Sequence, residues 1–161
     1  MTIFVGTHVN KVDRKGRVSV PADFRVLLGE SPNFFAFPSF VHRGIECRTA
    51  SFMDSLSETV HGLDLFSDQQ DNLADLIFAS SHTLAVDGDG RIVLPEPLRT
   101  HAGIDEQSAF VGKGKTFQIW EPLDHDQFQR KARERAPADR LALRQRPRGS
   151  GPNPDAMENG T

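Results

Sequence analysis

The chain has a single cysteine, Cys47, among its 161 residues. One thiol excludes an intramolecular disulfide. Cys47 is therefore expected to be a small apolar core residue of a protein kept in a reducing compartment. No run of about 18 apolar residues is present, so no membrane-spanning helix is expected. Residues 1–6 lack the basic region and apolar length of a secretory signal, which adds to the expectation of a cytoplasmic protein. Catalytic signatures are also missing: there is no Gly-x-Ser-x-Gly elbow, P-loop or Gly-x-Gly-x-x-Gly run. No catalytic residue, small-molecule substrate or cofactor is expected. The six histidines, His8, His42, His61, His82, His101 and His125, show no metal-ligand spacing. Asp87-Gly88-Asp89-Gly90 starts like a calcium loop but has no acid at the later position that such a loop needs, so no metal site is expected.

A large excess of one charge is absent too, since the formal net charge is −3. The distribution is less even. Six acids and no Lys or Arg lie between Asp54 and Asp75, whereas eight bases and only two acids lie between Arg130 and Arg148. Such runs are either solvated faces or local patches of opposite sign, which a small net charge conceals.

What is present is an internal repeat. Residues 12–25, Val-Asp-Arg-Lys-Gly-Arg-Val-Ser-Val-Pro-Ala-Asp-Phe-Arg, align without gaps on residues 86–99, Val-Asp-Gly-Asp-Gly-Arg-Ile-Val-Leu-Pro-Glu-Pro-Leu-Arg, at an offset of 74. The Val, Asp, Gly, Arg, Pro and final Arg are identical, and Gly29 and Gly103 keep the same offset. This regularity indicates a duplicated chain. In each copy a first strand (8–12 and 83–86) runs into Asp-x-x-Gly, which is turn chemistry: Asp bonds its own backbone and Gly accepts positive φ. Return strands follow at 17–20 and 91–94, rich in β-branched residues. Pro21 and Pro95 suit a helix start, and Phe24, Leu27 and Leu28 give the first helix an apolar stripe. Strands at 34–37 with 45–48, and at 109–112 with 116–121, complete each unit as β-β-α-β-β.

Between the copies, Phe52, Leu56 and Val60 recur at helical spacing. Ser67 with Gln70 forms a capping-box pattern ahead of an apolar face of Leu73, Leu76 and Ile77. A matching helix after the second copy would carry Leu123 and Phe128. The expected organisation is repeat 1 over 7–50, a helical connector over 51–80, repeat 2 over 81–124, a basic helical segment over 125–146 and a disordered tail over 147–161. The fold class is mainly β with short helices (α+β), with two halves too small to stand apart and therefore packed on each other or on other chains.

Gly6, the motif Asp13-x-x-Gly16-Arg17-Val18-x-Val20-Pro21-x-x-x-Arg25 and its second copy from Asp87 to Arg99 resemble the MraZ family, which carries two SpoVT/AbrB-like domains in one chain. The resemblance covers about residues 4–130, and Phe78-Ala79-Ser80 and Ile119-Trp120-Glu121 narrow it. It implies tandem repeats forming a pseudo-two-fold, AbrB-like swapped-hairpin barrel and a ring-shaped homo-oligomer. It also implies binding to double-stranded DNA at promoter direct repeats of the division and cell-wall gene cluster, and a nucleoid-associated location. The family's DNA-contacting Asp-x-x-x-Arg motif falls on Asp13 with Arg17 and on Asp87 with Arg91. Asn72-Leu73-Ala74-Asp75 departs from the family pattern, in which Arg often stands.

The residues themselves admit the same chemistry. An Arg at the start of a hairpin strand is lifted off the body of the fold, and a two-stranded ribbon fits the major groove. The plainer alternative is that Asp and Gly only shape the turn while Arg makes a surface salt bridge. Lys11, Arg14 and Lys15 surround the first turn, whereas Gly88 and Asp89 stand in the second, so the first repeat is expected to carry most DNA affinity. Arg25 and Arg99 are expected in structural or ion-pair roles, with phosphate contact as the alternative. The rival to a DNA regulator is an AbrB-like antitoxin or other protein-interaction module with a basic docking tail.

Overall fold

The structure is a computed structural model and describes residues 2–30 and 32–144. In the first repeat β1 (Thr7–Lys11) and β2 (Arg17–Ser19) flank a tight turn, followed by α1 (Ala22–Leu28), β3 (Asn33–Pro38) and β4 (Ile45–Arg48). The second repeat has the same order: β5 (His82–Ala85), β6 (Arg91–Val93), α4 (Glu96–Ala102), β7 (Gln107–Gly112) and β8 (Phe117–Trp120). Between them lie α2 (Ala50–His61) and α3 (Asp68–Ala74), which widens into a π-type turn over Asp75–Ala79. The described chain closes with α5 (Pro122–Asp139) and a 3-10 segment over Arg140–Arg144. Among the described residues no helix is long and apolar enough to cross a membrane.

The class is mixed α+β with antiparallel sheets and short helices. The repeats do not pair only within themselves. β1 of the first repeat pairs with β7 of the second, and β5 of the second pairs with β3 of the first. The resulting sheet runs β1-β7-β8-β4-β3-β5, and β2 and β6 pair separately as a two-stranded ribbon. This corrects the expectation of a closed barrel: the six-stranded sheet is open, because the short return strands leave it and hydrogen-bond to each other.

Strand alternation puts one face of the sheet into the main core. Ile45, Cys47, Phe110, Phe117 and Ile119 join Val18 and Ile92 from the ribbon and Phe24 and Leu98 from α1 and α4. Both repeats thus contribute to one core, which neither could fill alone. Phe117 is the hub, with ring centroids 4.9 Å from Phe4, 5.2 Å from Phe24 and 5.1 Å from Phe34. The buried Cys47 thiol has its pKa pushed up by desolvation, so it is an apolar filler rather than a nucleophile.

The connector covers the other face at β3. Phe37 packs with Met53 and Val60 of α2 and with Ile77 of the π-type turn. Thr49 and Ser67 cap α2 and α3, their hydroxyls accepting from the backbone N–H of Phe52 and Gln70. The reciprocal half of the expected capping box does not form, since the Gln70 side chain donates to the Val60 carbonyl instead. The π-type turn adds a residue per turn and rotates the face, so Ile77 is buried and Leu76 is exposed, contrary to the helical-stripe expectation. Leu123 is likewise 71% exposed, and His125 is the buried residue at the start of α5.

Residues 127–144 form a unit of their own. Every residue in it is exposed, including Phe128. The expected tail over 147–161 lies outside the described residues.

The aromatic hub sets a stability prediction. Phe117→Ala removes a fully buried ring at the centre of the shared core and is expected to cost about 3–5 kcal/mol in urea unfolding. Val26→Ala, at a site 77% exposed, should change stability by less than about 0.5 kcal/mol. Equal effects would show that the hub does not hold the repeats together.

Candidate nucleic-acid interface

The two hairpin turns are built by the same bonds. In the first, the Asp13 carboxylate accepts from the backbone N–H of Lys15 and of Arg17, both at 2.9 Å. Gly16 N–H donates to the Asp13 carbonyl at 3.0 Å. In the second, Asp87 accepts from the N–H of Asp89 at 2.9 Å and of Arg91 at 3.0 Å, and Gly90 donates to the Asp87 carbonyl at 3.0 Å. The aspartates are therefore braces. Their side chains satisfy the turn's own amides.

The fourth turn residue must be glycine for two reasons. Gly16 and Gly90 sit at φ +83° and +78°, where side chains are strained. A Cβ on Gly16 would also lie 3.0 Å from the Leu94 carbonyl, and one on Gly90 would run into the Arg25 guanidinium. The contacts cross between repeats. Arg25 of the first covers the second turn, and Arg99 of the second covers the first while donating to the Leu94 carbonyl at 3.0 Å. The structural expectation for these two arginines fits this packing.

The motif arginines differ. Arg17 makes a tight ion pair with Asp13, Nε to Oδ2 at 2.7 Å, both side chains being more than a third exposed. Arg91 lies 3.8 Å from Asp87 and donates through its terminal nitrogen to Asp89 at 3.2 Å, so two acids share it. Asp89 occupies the position that Lys15 holds in the first turn. The first hairpin also presents Arg14, Lys15 and Lys11 exposed. Its charge is moderated on one side, because Lys11 and Arg14 line an open cleft of about 830 Å³ with Asp105, Glu106, Glu121 and Asp124. That neighbourhood was not legible from local sequence; the β1–β7 register creates it by placing Lys11 opposite Gln107.

The tertiary structure brings the two motifs together. β2 and β6 pair antiparallel with Arg17 opposite Val93, Val18 opposite Ile92 and Ser19 opposite Arg91. Val18 and Ile92 face the core, so Arg17, Ser19, Arg91 and Val93 share the outer face. Arg17 is near enough to help depress the pKa of Asp87.

Sequence reading missed a second polar cluster. Glu46, 8% exposed, pairs with His42 at 3.1 Å and Arg48 at 2.9 Å and accepts from Gln118 at 3.1 Å. Trp120 donates to Gln118 at 2.8 Å, and its ring stacks on His42 at 4.5 Å. His42 accepts the Gly44 N–H on Nδ1, which leaves Nε2 to carry the proton toward Glu46 in the neutral ring. Desolvation by burial is the main cause lowering the His42 pKa. No local signal marks this set; the pairing of β4 with β8 puts Glu46 opposite Gln118. These pairings make it a structural tie across the sheet.

Both turn aspartates have pKa values below the ordinary carboxylate value. For Asp13 the backbone N–H of Arg17 is the largest cause, helped by the Arg17 guanidinium and the Lys15 N–H; for Asp87 the Arg91 N–H is the largest. A depressed folded pKa means that these bonds stabilise the turn above the unfolded pKa and are lost as pH falls through the folded value. In an NMR titration the Asp13 carboxyl should titrate below a free Asp. Arg17→Ala should raise that midpoint only part of the way, because the backbone donors remain. A full return to the free value would make the guanidinium the sole cause.

Comparison with known proteins gives consistent results. The profile of the MraZ protein family, described as antitoxin-like, matches residues 77–145. The chain is 40% identical over 146 residues to the protein named transcriptional regulator MraZ of Rickettsia akari (strain Hartford), covering 89% of this chain and 98% of that one. The protein of the same name from Rickettsia rickettsii (strain Sheila Smith) matches equally, and that of Rickettsia typhi (strain ATCC VR-144 / Wilmington) is 38% identical over the same length.

Proposed function

The chain belongs to the MraZ family, and from that premise we propose that it is a DNA-binding transcriptional regulator which reads double-stranded DNA with the β2–β6 ribbon and its two turns. One observation carries the reading: two Asp-x-x-Gly-Arg turns 74 residues apart meet on one exposed antiparallel ribbon, with both arginines on its outer face. A two-stranded ribbon fits the major groove, and the guanidinium is suited to bidentate contact with guanine or phosphate. Lys11, Arg14 and Lys15 supply phosphate attraction beside Arg17. Asp13 and Asp87 hold the arginines and the turns in place. The exchange of first strands between repeats supports the pseudo-two-fold, swapped-hairpin relation of repeats 7–50 and 81–124.

The targets are direct repeats at the promoter of the division and cell-wall gene cluster and at the chain's own promoter, and the protein acts in the cytoplasm on the nucleoid. One ribbon offers few phosphate contacts and binds weakly at physiological salt. A homo-oligomeric ring carrying several ribbons gains affinity by effective concentration where operator boxes match its spacing. The antitoxin-like description of the family favours a second reading, a module that binds a protein partner through its basic C-terminal helix. A partner retained after high-salt purification, with no DNA binding, would support it.

The test is binding of wild type, Arg17→Ala and Arg91→Ala to the DNA upstream of the gene, followed by anisotropy across a salt series. Arg17→Ala is expected to weaken binding by about 10-fold or more, within the range of about 1–3 kcal/mol for a lost bidentate contact. Arg91→Ala should have a smaller effect, because Asp87 and Asp89 already engage that side chain. Lys15→Ala should lower the salt slope by about one contact. A larger loss with Arg91→Ala would reverse the assignment of the principal contact, and no salt dependence would sink the reading.

A further inference from the structure

The ribbon's outer face has a symmetry that is broken in one place. Shifting each residue by 74 carries Arg17 onto Arg91 and Ser19 onto Val93, and the observed register maps onto itself under that exchange. The arginines therefore occupy equivalent diagonal corners of a four-residue face. The other diagonal holds a hydroxyl at Ser19 and two methyls at Val93. Both positions are exposed, Val93 at 55%. Across an antiparallel pair, diagonal neighbours lie about 7–8 Å apart, so all four side chains address the same few base pairs.

A lone exposed valine needs no explanation on an ordinary surface, and β-branching alone suits it to a strand. Its place between two guanidiniums is what matters here. Nothing in the core fixes the side chain at 93, whereas Val18 and Ile92 beside it are almost wholly buried. In the major groove a thymine differs from the other bases by its 5-methyl group, which apolar side chains contact, while a serine hydroxyl accepts or donates to base-edge polar atoms.

Resting on the DNA-reading role above, we propose that Val93 and Ser19 are specificity-determining residues: Val93 packs on a thymine methyl, Ser19 hydrogen-bonds a base edge in the other half-site, and their difference makes each ribbon read DNA with a direction. A fully symmetric ribbon would prefer a palindromic half-site pair. This one, with arginines at equivalent positions but unlike residues on the other diagonal, selects a non-palindromic site.

The experiment is selection from a random 20-base-pair duplex library with wild type, Val93→Ser and Ser19→Val, then affinity measurement on the selected duplexes. Wild type should enrich a non-palindromic motif containing a thymine whose replacement by deoxyuridine, which removes only the methyl, weakens binding about fourfold. Val93→Ser should bind the thymine and uracil duplexes equally. Ser19→Val should gain a thymine at the symmetry-related position and move the motif toward a palindrome. Unchanged thermal melting is expected for both variants, since both sites are exposed. If no thymine in the wild-type motif shows a methyl penalty, the inference is overturned without recourse to any variant. The same holds if Val93→Ser keeps the wild-type motif and penalty. If wild type enriches no DNA at all, the DNA-reading role fails together with this one, whereas enrichment indifferent to positions 19 and 93 overturns this inference alone.

Discussion

Three cross-strand pairs, Arg17 with Val93, Val18 with Ile92 and Ser19 with Arg91, join two segments that are far apart in the chain. The ribbon they form is only three residues wide on each side, too short to be stable as an isolated hairpin-like element. It persists because Val18 and Ile92 are buried in a core built by both repeats. Two further bonds lock its ends: Val20 N–H donates to the Gly90 carbonyl at 2.9 Å and Leu94 N–H to the Gly16 carbonyl at 2.8 Å. Each return strand thus ends on the other repeat's turn glycine. Loss of either turn would remove an end-bond from the opposite strand, so the folding of one repeat depends on the other.

That interdependence also governs the exposed chemistry. The arginines lie on the outer face because their neighbours are held inward, and strand alternation leaves no third choice. Their environments diverge through single turn residues. Lys15 leaves Arg17 with one acidic partner, while Asp89 gives Arg91 a second. One fold therefore presents two chemically different halves. The asymmetry costs little structurally, since the turn bonds run through the backbone amides and the shared aspartates.

Long-range pairing also moves acids to places that local sequence hides. Asp105 and Glu106 precede β7, and the β1–β7 register sets them beside Lys11 and Arg14. Glu46 is buried with His42, Arg48 and Gln118 by the same kind of event, the meeting of β4 and β8. The buried Glu46 carboxylate is tolerable in the sheet because His42, Arg48 and Gln118 all engage it.

The sequence by itself determined the duplicated turn, the order of strands and helices and the residues that brace each hairpin. These features depend on contacts within a few residues: Asp13 bonding Lys15 and Arg17, Gly16 taking positive φ, Thr49 and Ser67 capping their helices. Local patterns failed where helical spacing met a widened turn at Asp75–Ala79, which exposed Leu76. Helical spacing also gave no hint that His125, rather than Leu123, would be buried. Only the tertiary structure decided that the first strands exchange between repeats, that the sheet stays open and that Arg17 and Arg91 share one face. Those outcomes rest on pairing between residues more than 40 positions apart. The physical reason is that hydrogen-bond register and core volume are properties of the assembled chain, whereas turn and cap chemistry is complete within a handful of neighbouring residues.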